Sequence, residues 1–438
     1  ARASQSVITF ADALQVKDLG TGAIAATATG GLNTFTFVML PMGLAFIVQS
    51  FVAQLVGRGD LDQTRRFAWY GLGFALIAGI AAAIALPVVA PVLGLTSYEP
   101  EVRGLMTSYM EIRLLSVAAA VGIEALGNWY GGLGNTWMQM IAGVLTMVAA
   151  VVGNALLIPH YGVDGAAIAS VIATWLGFGF LLVALWRGWG GARNTRPPHG
   201  PLGLSKRELW RVARFGLPNG LNWFLEFAAF TAFINVVVAK LGGVTVAALN
   251  VVIAVNSLAF MPAFGLASAG AILSAQEIGR NQRDRVWANV KLTLLCTIAW
   301  EGAMALAYVA WPERILSLFA PDGGSAELVT VGATMLAISA VWQVFDATGM
   351  TLNETLRAAG DTAWTAAARI LVAWGLFAPG SYLVVETLHG GAVGAMACLC
   401  AYLAILAGVL ALRFRSGAWK RIELIEPKVE ELLAEAGV

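Results

Sequence analysis

The chain has 438 residues, 58% hydrophobic and 12% charged, with a formal net charge of +1. Such a composition leaves too little polar surface for a water-soluble globule, and the near-neutral balance gives no electrostatic footprint for nucleic acid. The scattered Cys296, Cys398, Cys400, His160, His199 and His389 form neither a disulfide framework nor a metal-ligand spacing.

Apolar runs of roughly 20 residues cross a bilayer as helices. They are predicted near residues 1–16, 31–56, 67–93, 104–126, 137–158 and 165–186, then 214–239, 246–275, 288–311, 327–356, 364–387 and 391–413. In chain order these are spans one to twelve. The expected fold class is an all-α integral membrane protein of about twelve transmembrane helices. The second half repeats the first. Leu19, Gly20, Ala25, Ala26, Gly43, Leu44, Gln54, Gly57 and Arg58 return at one constant step as Leu241, Gly242, Ala247, Ala248, Gly265, Leu266, Gln276, Gly279 and Arg280. Pro41 lies one residue out of that register against Pro262, and Gly134-Asn135-Thr136 is echoed by Gly360-Asp361-Thr362. Duplicated halves in a membrane chain are the usual construction of secondary transporters. An even number of helices per half makes both halves enter the membrane from the same side, so two parallel six-helix repeats are expected. Ala1 aligns with Trp223, whereas the second copy already begins around Arg214-Phe215-Gly216-Leu217-Pro218. The first helix is therefore expected to be truncated at its N-terminus by roughly a dozen residues.

The expected organisation is an N-terminal lobe over 1–187, a linker over 188–213, a C-terminal lobe over 214–413 and a tail over 414–438. Gly190, Gly191, Pro197, Pro198 and Pro201 mark the linker. In the tail, Trp419, Ile422, Ile425, Val429, Leu432 and Leu433 alternate with charges, which suits an amphipathic surface helix and a frayed end equally. Arg58, Arg65, Arg66, Arg187, Arg193, Arg196, Lys206, Arg207, Arg280, Arg283, Arg413 and Lys420 collect on one side, against Lys17, Arg103, Lys240 and Arg314 on the other. That asymmetry puts the first group and the C-terminus in the cytoplasm, with the chain in the cell inner membrane. Pro41 and Pro262 are expected to bend spans two and eight. His160 and His389 occupy matching connections and read as interfacial side chains.

Carboxylates inside apolar helices carry the functional signal, because one acid at mid-bilayer costs about 2.5–3.5 kcal/mol unless it faces a cavity or a partner. Glu226 shares a helical face with Asn219, Asn222, Trp223 and Phe230; Asp346 shares one with Trp342, Gln343, Gly349, Met350 and Asn353. Acid, amide and ring together suit a hydrated or lipophilic cation. Asp12, with Thr9 and Gln15, is balanced between a functional and a structural role. So is Glu301, whose only polar neighbour at helical spacing is Thr297. Glu111 and Arg113 are too close in sequence to share a face. Arg357, Arg369 and Glu124 read as structural, placed near cytoplasmic ends where long side chains reach headgroups.

With Phe10-Ala11-Asp12, Leu19-Gly20, Ala25-Ala26, Gln54 and Gly57, Asp346-Ala347 and Leu356-Arg357-Ala358-Ala359-Gly360-Asp361-Thr362, the chain resembles the multidrug and toxic compound extrusion (MATE) transporters over essentially its whole length. The pattern looks like the NorM branch. There, a glutamate in helix seven and an aspartate in helix ten help bind the coupling cation, positions that Glu226 and Asp346 match; Asp12 matches the helix-one aspartate of the N-terminal lobe. The DinF-like branch carries an aspartate four residues after an asparagine in helix five, where this chain has Asn154 and then Ile158. Arg357-Ala358 stands where the family usually has Arg-Gly.

The expected function is antiport, with Na+ or H+ entering as a cationic, amphipathic drug or metabolite leaves. Glu226, Asp346, Asp12, Asn222, Trp223, Gln343 and Asn353 would bind the cation or substrate, and Glu226 and Asp346 would hold Na+ if sodium drives the cycle. No enzyme activity or cofactor is expected: no Gly-rich phosphate loop supports nucleotide-driven pumping, and the outer connections are too short for a catalytic domain. The expected partners are the lipid bilayer and the substrate, with the protein working as a monomer. The alternative is a lipid-linked glycan flippase, whose pyrophosphate-bearing substrate calls for buried bases rather than acids. Export requires the acids to be accessible. Carboxylates pointing into lipid, or locked onto arginines with no accessible space beside them, would exclude it.

Overall fold

The computed structural model describes residues 15–16, 19–95, 98–195, 203–319 and 326–426. Asp12, most of span one, His199 and the tail beyond residue 426 lie outside them. Among the described residues the regular structure is entirely helical. The chain divides into two compact units, Ala1–Leu221 and Asn222–Val438.

In the first unit, span two comprises Thr21–Phe46 and Val48–Arg58. Span three is Leu61–Gly94, and span four comprises Pro100–Leu114 and Val117–Gly132. Spans five and six share the run Thr136–Arg187, broken at Gly162 with φ 57 and ψ −131. Side chains at the contacts are small, so backbones approach closely. A Cβ added to Gly71 would stand 2.8 Å from the Ala125 Cβ, and one on Gly79 would stand 2.7 Å from that of Ala118.

Span two divides six residues beyond Pro41, at Ile47, and the break has a consequence. The Ile47 N–H bonds to the Leu44 carbonyl, one residue closer than the α-helical register. The Gly43 carbonyl thereby loses its usual acceptor role within the helix and takes a hydrogen bond from the Asn219 amide at 2.6 Å. Around that bond, Gly216 and Gly220 of span seven press their backbone onto span two. A Cβ at Gly220 would lie 2.4 Å from the Leu40 carbonyl oxygen, and one at Gly216 would lie 2.7 Å from that of Leu44. The first half of span seven thus packs with the first unit, which extends to Leu221. Gly220→Ala should lower the thermal unfolding temperature of the purified protein, with overpacking worth about 1–3 kcal/mol. An unchanged unfolding temperature would show that the two helices separate without cost.

The second unit continues span seven, whose helix Lys206–Ala232 passes into a π-helical turn at Phe233–Val237 and a 3-10 turn at Val238–Leu241. Span eight is Gly243–Gly279, unbroken across Pro262, and span nine is Val286–Ala310. A short helix, Pro312–Phe319, precedes span ten at Ala326–Ala358. Span eleven starts as Thr362–Ile370 and widens into π turns at Leu371–Phe377 and Leu383–Thr387; span twelve is Gly391–Arg415.

The sequence repeat is a repeat of backbone shape. Gly20 and Gly242, at the heads of spans two and eight, hold φ 104, ψ 170 and φ 95, ψ 162, a region essentially closed to other residues. The motifs Gly134-Asn135-Thr136 and Gly360-Asp361-Thr362 form the turns into spans five and eleven, and each is covered by the chain leaving its unit's last span. In the first unit that cover is the 3-10 run Trp189–Thr195: the Asn135 amide donates to the Gly190 carbonyl at 3.1 Å, and Arg65 donates to the carbonyls of Leu185 and Ala192 at 3.1 and 3.0 Å. In the second unit the cover follows Gly417. Asp361 pairs with Arg413 at 2.7 Å, Lys420 with Asp284 at 2.6 Å, and Trp419 and Leu424 are buried. The described part of the tail is thus a 3-10 turn, Ala418–Arg421, and a non-helical strap to residue 426, with its apolar side chains packed on the unit.

Candidate functional site

The second unit gathers ionisable side chains from several spans. Glu226 lies in span seven, Glu301 in span nine, Asp346 in span ten and Arg369 in span eleven. The Arg369 Nη1 donates to the Glu226 Oε1; Arg369 is 11% exposed and Glu226 37%. The Trp374 indole N–H donates to the Leu225 carbonyl at 3.1 Å, holding span eleven beside span seven at the level of that pair. Asp346 is half-buried and within electrostatic reach of both Glu226 and Arg369. Glu301 is fully buried with neither carboxylate oxygen hydrogen-bonded, and it lies within electrostatic reach of Asp346. Two carboxyls, Glu226 and Asp346, thus lie within reach of one guanidinium, and Glu301 reaches the cluster through Asp346. Phe233, Phe377 and Tyr402 run ring to ring, with centroids 4.9 Å apart at each step, and Tyr402 lies within electrostatic reach of Glu226, Arg369 and Asp346.

Arg369 corrects the sequence reading, which placed it among headgroups. It stands seven residues beyond the start of its helix, about 10 Å along the axis, and turns inward to an acid. Arg357 is corrected in the same way: it is buried and bound to Glu354 at 2.7 Å. Glu124 is buried too, accepting from the Asn128 amide at 2.8 Å.

The polar neighbours of the acids divide. Asn222 is buried one turn before Glu226, with its Oδ1 unbonded, and Trp223 is half-buried. Gln343 is committed elsewhere, its amide donating to the Asn256 Oδ1 at 2.6 Å, while Asn256 donates to Ser339 at 3.2 Å. That network ties span ten to span eight. Asn353 is buried two turns beyond Asp346. Glu226 and Asp346 are thus brought into one electrostatic cluster, while Gln343 serves helix packing. Among the described residues no three His, Cys, Asp or Glu side chains are arranged to hold a metal ion. The signal that could have found Arg369 is that a base in an apolar span needs an acid partner, and span seven supplies one.

A duplicated helical membrane fold, with an acid cluster inside one unit, is a construction common among transporters. The MatE family profile matches residues 1–156 and 220–383, and the chain belongs to that family. Its relatives include a probable multidrug resistance protein NorM from Thermotoga maritima, 24% identical across 87% of this chain and 82% of the relative. Another of the same name, from Pseudomonas putida, is 27% identical across 94% and 89%. Among solved structures, an outward-facing multidrug resistance MATE transporter of the MOP superfamily superposes with a TM-score of 0.85 at 21% identity, over 96% of this chain and 94% of that one. A MOP superfamily transporter from Pyrococcus furiosus, described as having a binding pocket of reversed polarity, gives 0.85 at 20% identity over the same shares. The chain is a multi-pass membrane protein of a drug-export transporter family.

Proposed function

We propose that this protein is an antiporter of the inner membrane, with a cytoplasmic C-terminus, that exports cationic, amphipathic small molecules in exchange for Na+ or H+. The observation that carries the reading is Glu226: an acid inside a membrane span that, although paired, keeps more than a third of its side chain exposed. An acid present only to neutralise Arg369 would be expected to be as deeply buried as its partner. With Asp346 it forms a net-negative site for which a driving ion and an organic cation compete. Competition is the thermodynamic requirement for exchange, since each occupant must lower the affinity for the other. A membrane potential adds about 2.3 kcal/mol per charge per 100 mV to the inward ion. The names of the NorM relatives support the substrate class. The flippase reading gains one buried base from Arg369, but Glu226 and Asp346 beside it outnumber that base and would repel a pyrophosphate.

The test is transport by purified protein in proteoliposomes, loaded with a cationic dye and given a sodium or a pH gradient separately. Dye movement driven by one of the two gradients is the expected result and identifies the coupling ion. Movement under neither gradient, with flip of a lipid-linked glycan instead, would replace this reading with the alternative.

A further inference from the structure

The pairing of Arg369 with Glu226 raises a question of charge. A site built to take a cation already holds one, and that cation belongs to the protein. Resting on the export reading above, we propose that Arg369 is a tethered competitor: its guanidinium occupies the acid pair when the site is empty, the bound cation displaces it, and its return helps expel that cation.

Three features support displacement over permanent bonding. First, the grip on the acid is single-pronged, with the Tyr402 hydroxyl the other polar neighbour of the guanidinium. Arg369 makes one hydrogen bond to Glu226, through Nη1, while its Nε is buried with no hydrogen-bond partner, so the bidentate fork that makes arginine–carboxylate pairs strong is not formed. Second, a second acid is near. Asp346 lies within electrostatic reach of the same guanidinium, which can therefore move off Glu226 without losing all compensation for its charge. Third, the helix changes register where Arg369 is anchored. The π-helical stretch Leu371–Phe377 begins two residues after it, and span seven carries its own π turn, Phe233–Val237, beyond Glu226. Single π turns inside α-helices are commonly found at functional sites. By contrast, the Arg357–Glu354 pair in the same unit makes two hydrogen bonds to one carboxylate oxygen and is fully buried in an unbroken helix. That pair looks like a fixture, whereas Arg369 has the geometry of a part that moves.

The test is equilibrium binding of tetraphenylphosphonium to purified wild type, Arg369→Gln, Glu226→Gln and the double variant, with transport by the same proteins. Removing the competitor should tighten binding by about tenfold, within the range usual for coupled ligands. Transport by Arg369→Gln should show a lower KM together with a lower kcat, because release has lost its aid. A purely structural arginine would instead lower stability and weaken binding. Glu226→Gln leaves the guanidinium facing Asp346 alone, so binding should be lost there and regained in the double variant. Should Arg369→Gln not fold, the comparison of the double variant with Glu226→Gln decides. Wild-type binding that is not tightened in Arg369→Gln, or a double variant no better than Glu226→Gln, overturns the competitor role and leaves the export reading standing. No binding to any of the four proteins removes both.

Discussion

Glu226→Gln and Asp346→Asn should each abolish ion-driven export of a cationic dye, yet they should differ in what they do to the fold. Either substitution removes one of the two charges for which ion and substrate compete, and an exchange cycle with half its site no longer couples. Asp346→Asn removes a half-buried carboxylate whose attraction to Arg369 is opposed by the like charge of Glu226, so the purified variant should unfold near the wild-type temperature. Glu226→Gln strips Arg369 of its one hydrogen-bonded acid, leaving a guanidinium that is 11% exposed. Breaking a fully buried pair costs about 3–5 kcal/mol. With Glu226 partly accessible and Asp346 near, the loss here should be about 3 kcal/mol or less. Unfolding temperatures in detergent, read beside dye transport in proteoliposomes, separate the two effects. Full transport by both variants would remove the acid pair from the cycle. Equal unfolding temperatures would show that Arg369 does not depend on Glu226.

How much of this was visible in the residues can be followed at particular positions. The repeated Leu-Gly of Leu19-Gly20 and Leu241-Gly242 was legible because its cause is local. Both glycines hold a backbone conformation that a side chain would forbid, so the letters record the geometry directly. The span boundaries were legible for a similar reason, since hydrocarbon thickness sets the length of an apolar run. The acids could be singled out because their cost in a membrane is paid residue by residue. Depth of a base was not legible. Arg369 and Arg413 are both arginines near an end of an apolar run, and only the fold decides that one meets Glu226 and the other Asp361. The role of Gln343 was hidden by the same non-locality: helical spacing puts it on the face of Asp346, but its amide turns to Asn256 on another span. Glu301 looked isolated because its own helix offers it only Thr297, whereas its electrostatic neighbour comes from span ten.

The buried pair at the end of span ten should dominate the stability of the second unit. Arg357 and Glu354 are 1% and 2% exposed, joined at 2.7 and 3.2 Å within a single helix. Glu354→Gln takes the carboxylate from beside the buried Arg357 guanidinium, and Arg357→Met takes the base from beside a buried carboxylate; each should cost about 3–5 kcal/mol. The loss should appear as a large drop in unfolding temperature or as failure to recover folded protein. The double variant Glu354→Gln, Arg357→Met removes the charge imbalance while keeping most of the volume, so it should be more stable than either single variant. The two losses should fall short of additivity by about 1–3 kcal/mol. Strict additivity in that cycle would mean the two side chains stabilise the helix independently. Because this pair and the Glu226–Arg369 pair lie in the same unit but differ in grip and burial, the cycles should separate them. The Arg357 cycle should move stability alone, and the Arg369 series should move cation affinity. A shift of tetraphenylphosphonium affinity in folded Arg357→Met would break that division of labour.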